Sequence, residues 1–476
     1  MVKKIVSLIL AISITLSIAV VSTTTASAAE FTKGSYEFVQ QMKVGYNIGN
    51  TLDATGGETS WGAPKIEQGY VQAIYKKGFN VIRLPVTWFN CIDSNGNWKD
   101  NKAYVNRVKE VVGWIYNTGA YCIVNTHHEM PWLNTYATIH NSDETINETK
   151  VSAMLSKFRT LWTNIANEFN SYGERLLFEG YNETRSEEGT WSSITDDQKI
   201  ITRIGQTFVD AVRATGGNNA KRYIICSTFA AGTGKEIRNY VMPNDSVGHI
   251  IFEVHEYSPQ SFTFPGSQTN FVESDLNTEI DKAFASVKDV FLSKGYGVIL
   301  GEFGAVNKNN DAERAKYINA LFKKIYPYGI VPIWWDNYTT GVATSVNATE
   351  SFGINTRTSS TGYTWNFPTV SDALINYANQ YQSLRPSSSS AFNTTTTTTT
   401  KTTTTTTTKT TTTTTTTTKP AVKGDVTGDG KVNAMDVLAI KRCITNSTFT
   451  AVADLSGDGK ITSLDILAVK KLIANS

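Results

Sequence analysis

Eight short apolar runs, separated by longer amphipathic stretches, constrain the fold of this chain more than any other feature of its sequence. Each run is rich in β-branched residues and has the length of one strand. The runs are Val44–Asn50, Asn80–Val86, Tyr121–His128, Leu176–Glu183, Tyr223–Ser227, Ile250–Tyr257, Val298–Gly304 and Ile330–Asp336. Helical patterns lie between them at Val105–Tyr116, Val151–Phe169, Lys199–Ala214 and Asp311–Tyr326. This alternation predicts an α/β fold, a (β/α)8 TIM barrel, over a doubly wound sheet, because no Gly-rich phosphate loop follows a strand.

Polar residues end nearly every predicted strand. In barrel enzymes the chemistry takes place at the carboxyl ends of the strands, where these side chains would meet. The residues are Asn47, Asn50, Arg83, His127, His128, Asn182, Glu183, His255, Tyr257, Glu302, Trp335 and Asp336. The sequence therefore predicts an active site at this end of the barrel.

Two carboxylates stand out among these residues. Glu183 ends the fourth strand and Glu302 the seventh, and either one alone is more often a structural ion-pair partner. Together on one barrel face they should lie roughly 5 Å apart, the separation used by retaining glycosidases. Like charge at that distance should raise the pKa of one partner and make it a general acid. Because neighbours on a strand point to opposite faces, Asn182 and Glu183 can share the cavity only if the strand bulges or breaks.

Other residues are expected to support this pair. His255 and Tyr257 are two apart and share a strand face, where they could orient the carboxylates or simply pack in the core. Arg83 would be a costly buried cation without an acidic partner. Glu179, four residues before Glu183, is predicted to be a structural acid paired with a cation such as Arg83.

Histidine and tryptophan residues offer further candidates. His127 and His128 are adjacent and should point to opposite strand faces, and no H-E-x-x-H spacing supports zinc. Trp335 follows the eighth strand, where a flat ring could form the floor of a sugar subsite. Weaker candidates in the predicted loops, as suited to packing as to binding, are Trp61, Trp88, Trp132 and Trp191.

Seven sequence blocks in order resemble glycoside hydrolase family 5: VGYNIGNTLDA, NVIRLPVTW, IVNTHHE, FEGYNE, VHEY, ILGEFG and IWWDN. The resemblance runs from about Val44 to Asn337 and implies Glu183 as acid/base and Glu302 as nucleophile. It further implies that Asn182 binds the sugar 2-hydroxyl and that Arg83 and Tyr257 hold the nucleophile. The remaining site candidates are Asn47, Trp61, His127, His128, His255 and Trp335.

Two details bear on the subfamily and the substrate. ETSWG, Glu58 to Gly62, resembles the loop after the first strand in endoglucanases of this family. Thr184 stands where the family usually has Pro after the acid/base. That proline shapes a loop and does no chemistry, so the departure affects the expected substrate and not the mechanism.

The two ends of the chain predict export and tethering. Two lysines, an apolar run and small residues up to Ala29 are typical of a signal peptide over residues 1–29, with a retained membrane anchor as the weaker alternative. A catalytic domain is predicted over 30–386 and a Ser/Thr-rich linker over 387–420, which has nothing to bury and should stay extended. A small module follows at 421–476. The protein is therefore expected to be secreted and extracellular.

The small module contains a repeated twelve-residue loop. DVTGDGKVNAMD, Asp425 to Asp436, recurs as DLSGDGKITSLD, Asp454 to Asp465, and an apolar helical pattern follows each loop. The oxygen-bearing positions match the spacing of EF-hand-like calcium loops and predict two calcium ions. The loop positions that would bind them are Asp425, Thr427, Asp429, Lys431, Asn433, Asp436, Asp454, Ser456, Asp458, Lys460, Thr462 and Asp465.

The repeat resembles a type I-like dockerin over Gly424 to Ala474. That resemblance implies a small all-α calcium-binding fold and a scaffoldin cohesin as partner, and so attachment to a cellulosome. The third ligand is usually Asn, whereas Thr427 and Ser456 occupy it here. The implied partner-reading and basic rim positions are Ala434–Met435, Ser463–Leu464, Lys441–Arg442 and Lys470–Lys471.

Composition excludes other classes. With 44 basic and 42 acidic side chains, neither nucleic acid nor an anionic membrane is an expected partner. The four cysteines, Cys91, Cys122, Cys226 and Cys443, lack metal or disulfide-framework spacing, so free thiols are expected, although one bridge is possible.

The sequence predicts a secreted retaining endo-β-1,4-glucanase that acts on cellulose or a related β-glucan, needs no cofactor in the barrel, and joins a scaffold through its dockerin. The same machinery could act on xyloglucan, mixed-linkage glucan, xylan or mannan. A barrel that binds polysaccharide without cutting it, and a calcium sensor or adhesin, are alternatives of other classes.

Overall fold

The computed structural model describes residues 30–392, apart from 100–101, 135–138, 142–144, 186–194, 235–236 and 238–239, and short pieces of the C-terminal module. Those pieces are residues 425–426, 432, 440, 452–455, 460–461, 465, 468–469 and 472. The chain divides into two compact units, Met1–Thr396 and Thr397–Ser476. The predicted signal peptide and most of the predicted linker lie outside the described residues, and the boundaries 29, 386 and 420 stay predictions.

Eight parallel strands close into a barrel in chain order within the larger unit. Each strand pairs with its neighbours in sequence, and β8 returns to pair with β1. The strands are β1 Gly45–Asn47, β2 Val81–Leu84, β3 Tyr121–Asn125, β4 Leu176–Glu179, β5 Ile224–Ser227, β6 Ile250–His255, β7 Gly297–Phe303 and β8 Val331–Trp334. The predicted (β/α)8 fold is confirmed.

One short helix precedes the first strand, and the others follow strands and bury an apolar face against the barrel. Their bounds are α1 Ser35–Val39, α2 Gln68–Lys77, α3 Ala103–Thr118, α4 Glu148–Glu168, α5 Thr195–Ala214, α6 Gln260–Thr263, α7 Glu273–Val290, α8 Asp311–Ile325 and α9 Pro368–Tyr381. In α3 the buried valines and Ile115 recur at the helical period, and Gly119 ends the helix in the left-handed region at φ 97°.

The barrel interior is built in layers. Its lower layer is an apolar cluster that includes Val81, Ile123, Leu177, Ile225, Ile251, Ile299, Val331 and Ile333. Phe38, Val39 and Met42, in α1 and the turn after it, belong to the same cluster and close the bottom of the barrel. Side chains two residues further along a strand point the same way, so the next layer is also interior. That layer is polar, and it contains Arg83, Asn125, Glu179 and Glu253, all fully buried.

Most of the strands end earlier than the apolar runs suggested. For example, β3 ends at Asn125 and not at His128, and β4 ends at Glu179 and not at Glu183. The site residues that follow therefore lie in loops. In a loop neighbouring side chains can face one cavity, which they could not do on a regular strand. The break predicted before Asn182 and Glu183 is therefore present.

A separate apolar cluster lies in the C-terminal unit, formed by Ile440, Ala453 and Val469. Asp425 and Asp465, at the first and last positions of the repeated loops, are buried. Among the described residues, no helix has both the length and the apolar character to cross a membrane.

Candidate active site

Arg83 forms the centre of the polar layer. Its guanidinium makes two hydrogen bonds to Glu179, Nε to Oε2 at 2.6 Å and Nη2 to Oε1 at 2.7 Å. Nη1 donates to Glu302 Oε1 at 2.8 Å and to Asn47 Oδ1 at 2.9 Å, and Nη2 donates to Asn182 Oδ1 at 2.7 Å. The predicted pairing of Glu179 with Arg83 is confirmed. This network gives a permanent cation to Glu302 and fixes three strands around it.

Two amide side chains are held in one orientation by this network. Arg83 can only donate, so Asn182 Oδ1 must face it and Asn182 Nδ2 is left to point elsewhere. Asn47 is turned the same way and donates from Nδ2 to the carbonyls of Gly301 and Trp334. Asn47 is therefore a buried support of Arg83, whereas the Asn182 amide nitrogen remains available to a ligand.

The tautomer of His127 follows from its neighbour Asn125. The backbone N–H of Val86 donates to Asn125 Oδ1 at 2.9 Å, so Asn125 Nδ2 faces Glu179 and His127 Nδ1. His127 Nδ1 is thus an acceptor, and in the neutral ring the proton lies on Nε2. Burial, and then the charges of His128, Arg83 and His255, hold the pKa of His127 well below its usual range. In a neutral His127, Nε2–H and the nearby Asn182 Nδ2, 3.4 Å away, are both donors, so both can point to a ligand.

His255 lies between carboxylates on both sides of its ring. Nδ1 is 2.7 Å from Glu183 Oε1 and 3.5 Å from Glu302 Oε2, and Nε2 is 3.2 Å from Glu253 Oε1. Burial lowers the pKa of His255, but Coulombic attraction to Glu302 and the hydrogen bonds to Glu183 and Glu253 outweigh it and raise the pKa to about 10. Tyr257 completes the group by donating to Glu302 Oε2 at 3.1 Å.

The two candidate catalytic acids are shifted in opposite directions. Burial raises the pKa of Glu183, but the hydrogen bond and charge of His255 outweigh it, so the net shift is downward. Burial also raises the pKa of Glu302, and the charges of His255 and Arg83 only partly offset that effect. The expectation that like charge raises the pKa of one partner is therefore confirmed for Glu302, on which the charge of Glu183 acts, but in the free site this raised partner is not the expected proton donor.

The candidate acids approach each other closely, and each needs an irregular backbone to do so. Oxygens of Glu183 and Glu302 and a ring nitrogen of His255 all lie within 4.8 Å of one another. Glu183 follows the early end of β4. In β7 the register shifts beside both neighbouring strands, and one extra residue at Gly301 turns Glu302 inward.

The expectation that His127 and His128 point to opposite faces is wrong, because β3 ends before them. Their rings are 4.5 Å apart and perpendicular, and each residue, with Asp53, places a donor atom within 4.8 Å of the others. The protein nevertheless does not present the donor set of a metal centre here. His127 Nε2 carries a proton, and both Asp53 oxygens already accept backbone N–H groups of Asn50 and Thr51.

The aromatic candidates separate into a site group and a packing group. Trp335 is nearly parallel to the His127 ring at 5.8 Å, and its backbone N–H donates to the carbonyl of Phe303, next to Glu302. Trp61 is 43% exposed and contacts His128 across the first loop. Trp88 is fully buried and donates to the Asn125 carbonyl, which identifies it as a packing residue. Trp132 donates to Glu129 and packs against the core, and Trp191 lies outside the described residues.

Sequence reasoning missed three residues of the site: Asn125, Glu253 and Asp53. The first two could have been found because each is a polar residue two positions after an inward apolar residue of its strand. Asp53 lies in the loop after β1 and gives no periodic signal, so only the fold brings it to His127 and His128.

Of the twelve predicted calcium-loop positions, the structure describes Asp425, Asp454, Lys460 and Asp465, and each makes polar or charged interactions. The other eight lie outside the described residues, as do the predicted cohesin-reading positions and the basic rim. Cys91, Cys122 and Cys226 are free thiols, and Cys443 lies outside the described part of the chain.

Comparison with known proteins agrees with this geometry. Residues 45–341 match the family Cellulase (glycosyl hydrolase family 5), and residues 423–474 match the Dockerin type I domain. Endoglucanase A of Ruminococcus albus is 36% identical over 356 residues, covering 72% of this chain and 92% of its own.

Two solved structures extend the comparison. A GH5-4 broad specificity endoglucanase from Clostridium acetobutylicum has a TM-score of 0.65 and 32% identity, covering 72% of this chain and all of the other. A xyloglucan-specific endo-β-1,4-glucanase from a metagenomic library, solved with cellotriose, has a TM-score of 0.65 and 31% identity, covering 72% of this chain and 98% of its own. The family resemblance is confirmed: this chain belongs to glycoside hydrolase family 5 and carries a C-terminal dockerin type I domain.

Proposed function

We propose that this protein is a secreted retaining endo-β-1,4-glucanase that is attached to a scaffold protein by its dockerin. The observation that carries the proposal is the pair Glu183 and Glu302, whose oxygens approach within 4.8 Å while Arg83 donates to Glu302 and His255 to Glu183. Retaining glycosidases hold their carboxyl groups about 5 Å apart, whereas inverting enzymes leave a wider gap for a water molecule.

In the first step Glu302 attacks the anomeric carbon. Its lone pair forms the glycosyl–enzyme bond as the C–O bond to the leaving sugar breaks, and Glu183 gives its proton to that oxygen. Arg83 and Tyr257 hold Glu302 in place from opposite sides. Asn182 Nδ2, whose direction Arg83 fixes, is proposed to donate to the sugar 2-hydroxyl.

In the second step Glu183 acts as a base. It removes a proton from a water molecule, the oxygen of which attacks the anomeric carbon and releases Glu302. Configuration is retained after the two displacements. His255 donates to Glu183 and stabilises its carboxylate after the first proton transfer.

The bound sugar has to reverse the order of the pKa values of Glu183 and Glu302. The side chain of Glu183 is 22% exposed, and that of Glu302 is 7% exposed. A sugar seated beside Trp335 would displace water mainly from Glu183, and loss of water raises the pKa of a carboxyl group. Glu183 would then hold the proton, as its role requires, while Glu302 stays paired with Arg83.

The proposed substrate is β-1,4-glucan, with Trp335 and Trp61 as sugar-stacking surfaces. One of the similar solved structures is a broad specificity endoglucanase and another is specific for xyloglucan, so xyloglucan, mixed-linkage glucan, xylan and mannan are substrates to compare.

Turnover on these substrates, with the anomeric form of the first products, tests the proposal. In Glu302→Gln we expect kcat to fall by roughly 10,000-fold or more, because the nucleophile is lost. The matched control is Glu256→Gln, since Glu256 is near the site but bonds to Ser258 and Thr233. Near-normal turnover in Glu302→Gln, or inverted products, would overturn the assignment. Binding without turnover by the wild type would instead favour a polysaccharide-binding role.

The finer assignments of the tail are also proposals. We infer that the two loops bind two calcium ions, that a cohesin docks on the module, and that residues 1–29 direct secretion. Isothermal titration with calcium should give two ions per chain, and Asp425→Ala with Asp454→Ala should abolish both this binding and cohesin capture. Glu302→Gln should bind cohesin normally and serves as the control. Cohesin capture that survives EDTA would contradict the calcium requirement.

A further inference from the structure

Glu253 is a fully buried carboxylate at the meeting point of the two cations of the site. Its Oε1 lies 3.2 Å from His255 Nε2 and 3.3 Å from Arg83 Nε. Its Oε2 accepts a hydrogen bond from Ser227 Oγ at 3.2 Å. No other described carboxylate contacts the face of His255 that points away from the cavity.

The neighbouring strand is shaped to admit this carboxylate. Gly301, the extra residue in β7, faces Glu253, and a Cβ added to Gly301 would lie 1.6 Å from Glu253 Oε1. Any side chain at 301 would displace the carboxylate from His255. The irregularity that turns Glu302 inward therefore also creates the space that Glu253 occupies.

The hydrogen-bond chemistry of His255 depends on Glu253. Nδ1 faces Glu183 and Glu302, so it must donate a proton. If the partner of Nε2 were a neutral group, Nε2 could stay unprotonated and the ring could remain uncharged. Glu253 can only accept when ionised, so Nε2 must donate as well. The ring is then an imidazolium.

Other charged and titratable groups lie close to His255 or act on it from the surrounding strands and loops: Arg83, His127, Glu179, Arg185 and Tyr257. Arg83 and Arg185 oppose a charge on His255. Glu179 accepts two hydrogen bonds from Arg83 and does not contact the His255 ring. Glu183 and Glu253 compensate this opposition by direct contact, one at each ring nitrogen, and Glu253 is the one that takes no part in the proposed reaction.

We propose that Glu253 is a positioning residue that keeps His255 doubly protonated and thereby fixes the hydrogen bond that His255 donates to Glu183. The inference rests on the proposed function, in which Glu183 is the acid/base. A charged His255 stabilises the carboxylate that Glu183 becomes after proton transfer, so Glu253 acts on the reaction through His255 without touching the sugar.

The test is a pH titration of the ring nitrogens of His255 by NMR in the full-length protein labelled at histidine. His255→Gln identifies the signal. In Glu253→Gln we expect the titration midpoint to fall by about one pH unit or more, since a contacting opposite charge is removed. The alkaline limb of kcat/KM should move to lower pH with it.

Asp336→Asn is the matched control, because it neutralises an equally buried carboxylate that pairs with Arg357 and contacts neither His255 nor Glu253. It should shift the His255 midpoint by less than half as much. If Glu253→Gln does not fold, Glu253→Asp can be used, because it keeps the charge but places it farther from His255. The His255 midpoint should then fall by a smaller amount. A His255 midpoint unchanged in the folded variant overturns the proposal. The NMR result does not depend on turnover, so it stays separable from failure of the Glu302 assignment.

Discussion

The two candidate catalytic acids accept their shortest hydrogen bonds from different cations, although His255 also lies 3.5 Å from Glu302 and Arg185 lies 3.8 Å from Glu183. Glu302 is held by Arg83, whose charge is permanent and whose guanidinium also donates to Glu179, Asn47 and Asn182. Glu183 is held by His255, whose charge can be lost within an accessible pH range. A nucleophile has to remain ionised, whereas an acid/base has to change its protonation in every cycle. The fixed cation suits the first role and the titratable cation suits the second.

Replacing the fixed cation should have the largest effect. In Arg83→Lys we expect kcat to fall about 100-fold, because one ammonium group cannot keep the two-pronged bond to Glu179 and also donate to Glu302 and Asn182. The free energy of unfolding should fall by about 3 kcal/mol, since the buried carboxylate of Glu179 loses the paired hydrogen bonds that offset its desolvation. Steady-state kinetics and denaturant unfolding measure the two effects.

Arg213→Lys is the matched control for that variant, because Arg213 makes a two-pronged bond to Asp245 far from the site. Its kcat should be unchanged. An equal fall in kcat for both variants would show that the loss at Arg83 is general destabilisation.

Removing the titratable cation should change how stability depends on pH. The pKa of His255 is about 10 in the folded protein, above the ordinary histidine value, so folding binds a proton between these values. That stabilisation is fully present at low pH and is lost as pH rises toward 10, with a slope of about 1.4 kcal/mol per pH unit. His255→Gln should abolish this slope relative to wild type, as measured by urea unfolding from pH 7 to 10.

The control is His249→Gln. Burial lowers the pKa of His249, so this ring is uncharged throughout the range and its replacement should leave the slope intact. A slope that persists in His255→Gln would contradict a charged His255. It would also remove the contrast between a permanent and a titratable cation.

The smallest effect is expected from the second partner of the nucleophile. Tyr257→Phe removes one neutral donor from Glu302 and leaves Arg83 in place, so kcat should fall only about tenfold. Tyr317→Phe is the matched control, because the hydroxyl of that buried tyrosine has no hydrogen-bond partner within the described residues. A loss in Tyr257→Phe as large as that in Arg83→Lys would mean that the permanent charge is not what matters.

Much of this molecule could be predicted from sequence because its signals are local. Eight apolar runs at barrel spacing predicted the closed sheet, and polar residues at their ends predicted the face that carries the site. The pairing of Glu179 with Arg83 followed from the cost of burying either charge alone. The repeated twelve-residue loop predicted the C-terminal domain through its resemblance to a dockerin.

The backbone irregularities could be settled only by the tertiary structure. Strict alternation would turn Glu302 outward, and the register shift at Gly301 is set by how β7 pairs with β6 and β8. The same non-local pairing admits Glu253 beneath His255, and the early end of β3 brings His128 toward Asp53. The sequence by itself determined which side chains occupy the polar layer and the strand ends, through a period of two residues. Which of them meet was decided by strand register, because register depends on neighbours distant in the chain.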